Sequence, residues 1–261
     1  MRRGESGVHL VHVTKRISSG IFVYYQHFAN YFNSENEQGN SRLKERLQEC
    51  AGYIAELKNG IITSYSISHS AMVEKAIAEK AGEIAADLIV IGKNSQHSLL
   101  PFLNTVVPSR LAKHSGISVL TVKPGALSST LKTVVVPINS RYSEKKVDII
   151  NGLKKKFYLN IRLLLIVERD DDPDKLQTSL VNTCRMLKNR SLDTISYEIL
   201  HVGKKNWDIL SYCRKVDADL LIVHPGTETK IGWLNKHISD ELPVNSKTQV
   251  LAVGQDNLSL A

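Results

Sequence analysis

Several groups of residues in this 261-residue sequence have side chains and spacings that could do chemistry. After an apolar run that ends at Gly92, the residues Lys93, Ser95, His97 and Ser98 offer cationic and hydroxyl groups. Next to a helix start, whose unpaired N–H groups favour anions, they could attract a phosphate. A solvated polar loop accounts for the same composition. His9 and His12 stand three apart in an alternating segment, and the period of two along a strand sends them to opposite faces, against a shared metal ion. Asp170, Asp171, Asp172 and Asp174 invite a magnesium or calcium reading, but no glycine-bearing EF-hand loop follows and a helix start explains the charges. Cys50, Cys184 and Cys213 are odd in number and lack Cys-x-x-Cys spacing, so three buried thiols are expected rather than a disulfide or a zinc site. Tyr24, Tyr25, Phe28, Tyr31 and Phe32 recur at helical spacing and suit core or dimer packing better than base stacking. There is no Gly-x-Ser-x-Gly elbow, Walker loop or nucleophilic-cysteine signature, so no catalytic and no metal-binding residue is assigned and a non-enzymatic protein is expected.

Composition narrows the field further. With 42% hydrophobic and 23% charged residues the usage is that of a globular protein. No apolar run approaches the roughly 20 residues needed to cross a bilayer, and residues 1–7 lead into an alternating segment, not a signal peptide's apolar core. A cytoplasmic protein without a membrane partner is expected. The net charge of +8 could mark an anionic partner, but residues 1–130 and 131–261 each carry half of it. The densest run, Lys154-Lys155-Lys156, is expected to be the solvated end of an amphipathic helix. No nucleic-acid partner follows from so even a spread.

The elements that would position these residues are organised by an internal repeat. Ala86-Asp87-Leu88-Ile89-Val90-Ile91-Gly92 recurs as Ala218-Asp219-Leu220-Leu221-Ile222-Val223-His224, and Ser118-Val119-Leu120-Thr121-Val122 recurs as Gln249-Val250-Leu251-Ala252-Val253. The two offsets agree to within a single position and span half the chain. Such a period suggests duplication of a whole domain. Short continuous apolar runs that follow helical patterns are the signature of strands covered on both faces. The fold class is therefore α/β, with two tandem doubly wound parallel-sheet, Rossmann-like domains over residues 1–125 and 131–254, a linker between them and a tail at 255–261. The second domain reads as strands at 133–137, 161–167, 194–202, 219–224 and 248–253, with helices near 142–157, 173–188, 206–216 and 232–241. Asp172 supplies a cap signal before Pro173. The first reads as strands at 8–13, 60–68, 87–92 and 118–122 with a helix over 42–58, and the apolar-free stretch 33–40 is expected to be an exposed loop. By comparison with the second domain, the first is one strand and one helix short at its beginning.

The segment from Ala86 through Gly92, the helix ending Ser109-Arg110-Leu111-Ala112-Lys113-His114-Ser115, and Val119-Leu120-Thr121-Val122 resemble the C-terminal portion of a universal stress protein domain. The second repeat, from Val134-Val135-Val136-Pro137 to Val250-Leu251-Ala252-Val253, resembles that family more distantly. The resemblance implies an adenine nucleotide alpha hydrolase-like fold and a stress-response role. Nucleotide-binding members carry Gly-x-x-Gly, nine residues, then Gly-Ser/Thr, so the resemblance marks Gly92, Lys93, Ser95, Asn104 and Thr105 as the corresponding loop. Ser95 stands where the second glycine belongs, and Thr105-Val106, or Asn104-Thr105 after a one-residue shift, replaces the last pair. Each substitution adds a side chain where close backbone approach is needed. Asn139, after Pro137-Ile138, stands where the family has a nucleoside-binding aspartate, and the second loop at His224-Pro225-Gly226 keeps one glycine. A degenerate nucleotide site is the expectation, with no cofactor required, and a sensor that binds ATP or AMP with weak or slow hydrolysis is the alternative. The resemblance also implies protein partners. It suggests a pseudo-dimer in which residues 118–122 pair with 248–253, and a homodimer beyond it.

Overall fold

The computed structural model describes residues 7–15, 26–57, 60–70, 72–92, 106–128, 130–140, 142–168, 171–187, 194–201, 205–225, 230–231, 236–243 and 245–254. The chain forms two compact units, residues 1–80 and 81–261.

In the first unit β1 (Gly7–Lys15) and β2 (Ile62–Ser70) form a parallel pair, in register from Gly7 opposite Ile62 to Lys15 opposite Ser70. Parallel strands need a long crossover, and α1 (Gln26–Leu57) supplies it. The stretch 33–40, expected as a loop, lies inside this helix. Glu35, Glu37 and Gln38 are good helix formers, and Gly39 costs about 1 kcal/mol against alanine without ending a helix. Phe28, Tyr31 and Phe32 fall on α1, whereas Tyr24 and Tyr25 lie outside the described residues.

A second helix, α2 (Val73–Glu83), leads to the strands of the larger unit. These are β3 (Leu88–Gly92), β4 (Ser118–Val122), β5 (Thr133–Ile138), β6 (Asn160–Val167), β7 (Thr194–His201), β8 (Leu220–Val223) and β11 (Gln249–Ala252). They make one seven-stranded sheet in the order β3-β4-β11-β8-β5-β6-β7. Every ladder in it is parallel except that between β4 and β11, where Thr121 faces Val250, Leu120 faces Leu251 and Val119 faces Ala252. The helices between strands are α3 (Pro108–Ser115), α4 (Glu144–Lys154), α5 (Pro173–Leu187) and α6 (Lys205–Lys215).

Burial explains why the apolar runs became central strands. Leu220, Leu221, Ile222 and Val223 are all buried, as are Val134, Val135, Val136 and Ile138. Each such aliphatic side chain is stabilised by about 1.5–3 kcal/mol on leaving water. One face of the sheet packs Val134, Val136, Ile138, Leu163, Leu220 and Ile222 against Val147 and Ile150 of α4 and Leu176 and Leu187 of α5.

Local chemistry sets the helix ends. Ser143 caps α4 by accepting the Lys146 N–H at 3.3 Å, and Asp172 caps α5 by accepting the Asp174 N–H at 3.0 Å. Desolvation pushes the Asp172 carboxyl up, but its bonds from the Lys175 and Asp174 N–H groups and the Lys175 ammonium outweigh that and hold it below its usual range. The chain leaves α2 and α6 by the same turn. Ala85 and Asp217, which precede the two copies of the repeated segment, are both left-handed, at φ 50° and 52°. In each turn the following N–H reaches back five residues, Ala86 to Ala81 O and Ala218 to Cys213 O, both at 2.9 Å. This is a Schellman closure with a non-glycine at its left-handed position.

Three further expectations are corrected. The helix expected over 232–241 is replaced, in its described part, by a short antiparallel pair, β9 (Lys230–Ile231) with β10 (Lys236–His237), and a 3-10 turn over Ile238–Glu241. Lys154 does not face water with its neighbours Lys155 and Lys156; it is buried and its ammonium donates to Leu187 O at the end of α5. Of the three thiols only Cys213 is buried, Cys184 is half-buried and Cys50 is exposed on α1. For the lysine and the thiols, position on a helix face decided the outcome, and residue type did not.

Candidate functional site

In an open parallel sheet, ligands bind beyond the carboxyl ends of the strands, where strand order reverses. Within the β11-β8-β5-β6-β7 portion that point lies between β5 and β8, which pair through Val134 opposite Leu220 and Val135 opposite Leu221. Asn139 follows β5 and His224 follows β8, so both stand at this crevice. Gly226 lies outside the described residues.

Beside Asn139 the space is already taken. Val136, Pro137, Ile138, Asn139, Ser143, Lys146, Val147, Ile150, Ser179 and Thr183 enclose a cavity of about 10 Å³. That is room for about one water molecule, against the roughly 300 Å³ at which small-molecule pockets begin. The filling group is Lys146. Its side chain is buried and its ammonium donates to Pro137 O at 2.7 Å, one residue before the end of β5. Ser179 Oγ, also buried, has no hydrogen-bond partner among the described residues, while Thr183 donates to Ser179 O at 2.8 Å.

Lys146, Ser143, Ser179 and Thr183 are the residues that sequence reasoning missed. A signal for the first was present: Lys146, Val147, Ile150 and Lys154 follow the spacing of one buried helical stripe, and all four are buried. Both lysines on that stripe end on a backbone carbonyl, which is how a buried ammonium offsets its lost hydration.

The other expected site residues lie elsewhere. Gly92 ends β3, is exposed, and among the described residues a Cβ built on it would meet nothing within 4 Å, so no described backbone approaches it closely. Lys93, Ser95, Asn104 and Thr105 fall outside the described residues. Because β4 and β11 run antiparallel, Gly92 and Asn139 stand at opposite ends of the seven-stranded sheet. The structure does not bring them together.

A larger polar hollow of about 500 Å³ lies at the amino ends of β5 and β6, lined by Thr130, Lys132, Thr133, Asn160, Asp217, Asp219 and Lys247 among others. Its centre is a structural clamp. Buried Asp219 accepts the N–H groups of Lys132 and Thr133 at 2.9 and 2.8 Å and meets the Lys247 ammonium at 3.1 Å. Lys247 also bonds Asp217 at 2.7 Å, and these bonds, that to Asp217 first, hold its ammonium above the usual range. The carboxylate of Asp219 thereby fixes where β5 begins.

In the smaller unit the His9 ring bridges Ser64 at 2.6 Å and Ser66 at 2.9 Å, with Ser64 opposite His9 in the ladder. His12 stands on the other face of β1, and no cluster of three or more metal-ligating side chains occurs among the described residues.

A sequence model described as the universal stress protein family matches residues 2–123. Residues 2–123 therefore form a domain of the universal stress protein family. Among solved structures, a universal stress protein from Archaeoglobus fulgidus DSM 4304 aligns at 15% identity with a TM-score of 0.66, over 97% of this chain and 88% of that one. A protein from Pseudomonas aeruginosa UCBPP-PA14, provisionally assigned as a universal stress protein, aligns at 12% identity with a TM-score of 0.53, over 96% and 94%. At such identities the likeness is one of fold. A comparison with curated proteins returns no match. The α/β, Rossmann-like character of the strands and helices described above agrees with this likeness of fold.

Proposed function

We propose that this chain is a tandem universal stress protein, a non-enzymatic, cytoplasmic regulatory factor that acts through protein contacts and whose nucleotide site is degenerate. The observation that carries the reading is Lys146: its buried ammonium on Pro137 O leaves about 10 Å³ beside Asn139, where a nucleoside would have to enter. Asn139 adds to this, because an amide in place of a carboxylate keeps an acceptor and loses the charge. The tandem reading is supported by the Schellman turns repeated at Ala85 and Asp217 and by the ladder between residues 118–122 and 249–252. No described helix is long and apolar enough to cross a membrane, which agrees with a cytoplasmic location.

Calorimetry of the full chain with ATP and with AMP, each with magnesium, tests the site. No heat and no shift of the thermal midpoint at millimolar ligand are expected. Saturable binding that raises the midpoint would establish the sensor instead, since a ligand that binds only the folded state must stabilise it.

A further inference from the structure

The repeat supplies a direct comparison between two strands with the same sequence pattern and different surroundings. Asp219-Leu220-Leu221-Ile222 on β8 is the second copy of Asp87-Leu88-Ile89-Val90 on β3. On β8 both edges are paired, to β11 and to β5, and Leu220 and Ile222 are 4% and 0% exposed. Among the described residues β3 pairs only with β4, and Leu88 and Val90 are 44% and 59% exposed. The two acidic residues differ in the same sense. Asp219 is buried on the N–H groups of Lys132 and Thr133 at the head of β5, whereas Asp87 is exposed.

We propose that the outer edge of β3, headed by Asp87, is a docking site for an extended, β-branched segment of a partner protein that adds to the sheet as a parallel strand. The chemistry of the occupant is read from what occupies the equivalent edge of β8, the segment Lys132-Thr133-Val134-Val135-Val136-Pro137-Ile138. Main-chain bonds along the edge supply affinity, and the apolar side chains cover Leu88 and Val90. Asp87 takes the first N–H groups of the incoming strand, as Asp219 does for β5. This requirement separates a partner strand from a second copy of the chain. Two β3 edges meeting about a two-fold axis would run antiparallel and place Gly92, not the amino end of a strand, beside Asp87. The inference gives a partner chemistry to the protein-contact reading above and rests on it. The nucleotide titration and the strand titration succeed or fail independently.

The test uses the full chain and a labelled synthetic peptide, Lys-Thr-Val-Val-Val-Pro-Ile-Asn, as the probe strand. Fluorescence anisotropy should saturate, and exchange of the 88–92 amides should slow by about tenfold or more at saturation. A peptide with its middle valine replaced by proline should do neither, because it lacks a ladder donor. Asp87→Ala should weaken binding by about tenfold and Val90→Lys should abolish it, each with the thermal midpoint of the chain unchanged because both side chains are exposed. Absence of slowing at 88–92, or slowing that survives Val90→Lys, overturns the proposal. A concentration-dependent dimer of the chain alone that Val90→Lys dissolves also overturns it, since the occupant is then a second copy.

Discussion

Leu120 on β4 stands directly opposite Leu251 on β11, and each is the other's counterpart in the sequence repeat. Their neighbours obey the same rule. Val119 faces Ala252, the counterpart of Thr121, and Thr121 faces Val250, the counterpart of Val119. The ladder is therefore isologous about an axis through the two leucines, the register that two copies of one edge strand adopt when each closes the other.

Directly opposed residues in an antiparallel ladder touch through their side chains, so this pair should be energetically coupled. Leu251 is buried and Leu120 half-buried. Leu251→Ala is expected to cost about 2–5 kcal/mol and Leu120→Ala less, in urea unfolding at constant m. The double variant should depart from the sum of the two by at least about 0.5 kcal/mol. Additive losses would mean that the two side chains do not share a contact.

Ala85 offers the opposite opportunity. A left-handed backbone costs a residue with a Cβ roughly 1–2 kcal/mol, while glycine loses about 0.5–1 kcal/mol in chain entropy. With φ at 50° and an exposed methyl, Ala85→Gly should raise stability by about 0.5–1 kcal/mol. At Asp217 the same change also removes the 2.7 Å bond to Lys247, so its gain should be smaller or absent. An unchanged or lower urea midpoint for Ala85→Gly would show that the turn is held by something other than this conformation.

The strands were legible because a short apolar run after a helical pattern writes itself into sequence: residues 88–92 and 220–223 were found where they stand, although only 220–223 are buried throughout. What was not legible depended on distant partners. Lys154 reads as a helix-end cation until Leu187 O, 33 residues away, is placed against its ammonium. Asn139 could be picked out by its position after β5, but Lys146, which closes the space beside it, looks like any charged residue in a first helical turn. The segment 33–40 misled through composition alone, since a polar, apolar-free stretch does not by itself separate a helix from a loop. The alternation of strands and helices placed a helix over 232–241, but a two-residue hairpin ladder and a 3-10 turn cover its described part.

His9 makes the smaller unit sensitive to acid. Desolvation, with Lys80 adding repulsion, holds its imidazole below the ordinary value of 6.5. As pH falls the unfolded chain takes up the proton first, so the stability His9 contributes is present above about 6.5 and is lost as pH drops through its folded value. Protection factors of the β1 amides should therefore fall as pH drops below about 6.5, and His9→Gln should flatten that dependence. A slope that His9→Gln leaves intact would assign the acid response to another group.

The thiols should separate by burial. Burial pushes the Cys213 thiol up to about 12 from its ordinary 9.0, and its side chain has no exposed surface. Reactivity follows the thiolate and its access, so a disulfide reagent at about pH 8 should modify exposed Cys50 quickly and Cys213 only as fast as the chain unfolds. Cys50→Ser should remove the fast phase without touching the slow one. The same shift sets a base limit on stability. Above about pH 9 the unfolded chain releases the Cys213 proton while the folded one keeps it, so this contribution is complete below 9 and is lost as pH rises toward about 12. In Cys213→Ala the urea midpoint should decline less steeply above pH 9 than in the parent chain, and an identical decline would show that this thiol is not what fails in base.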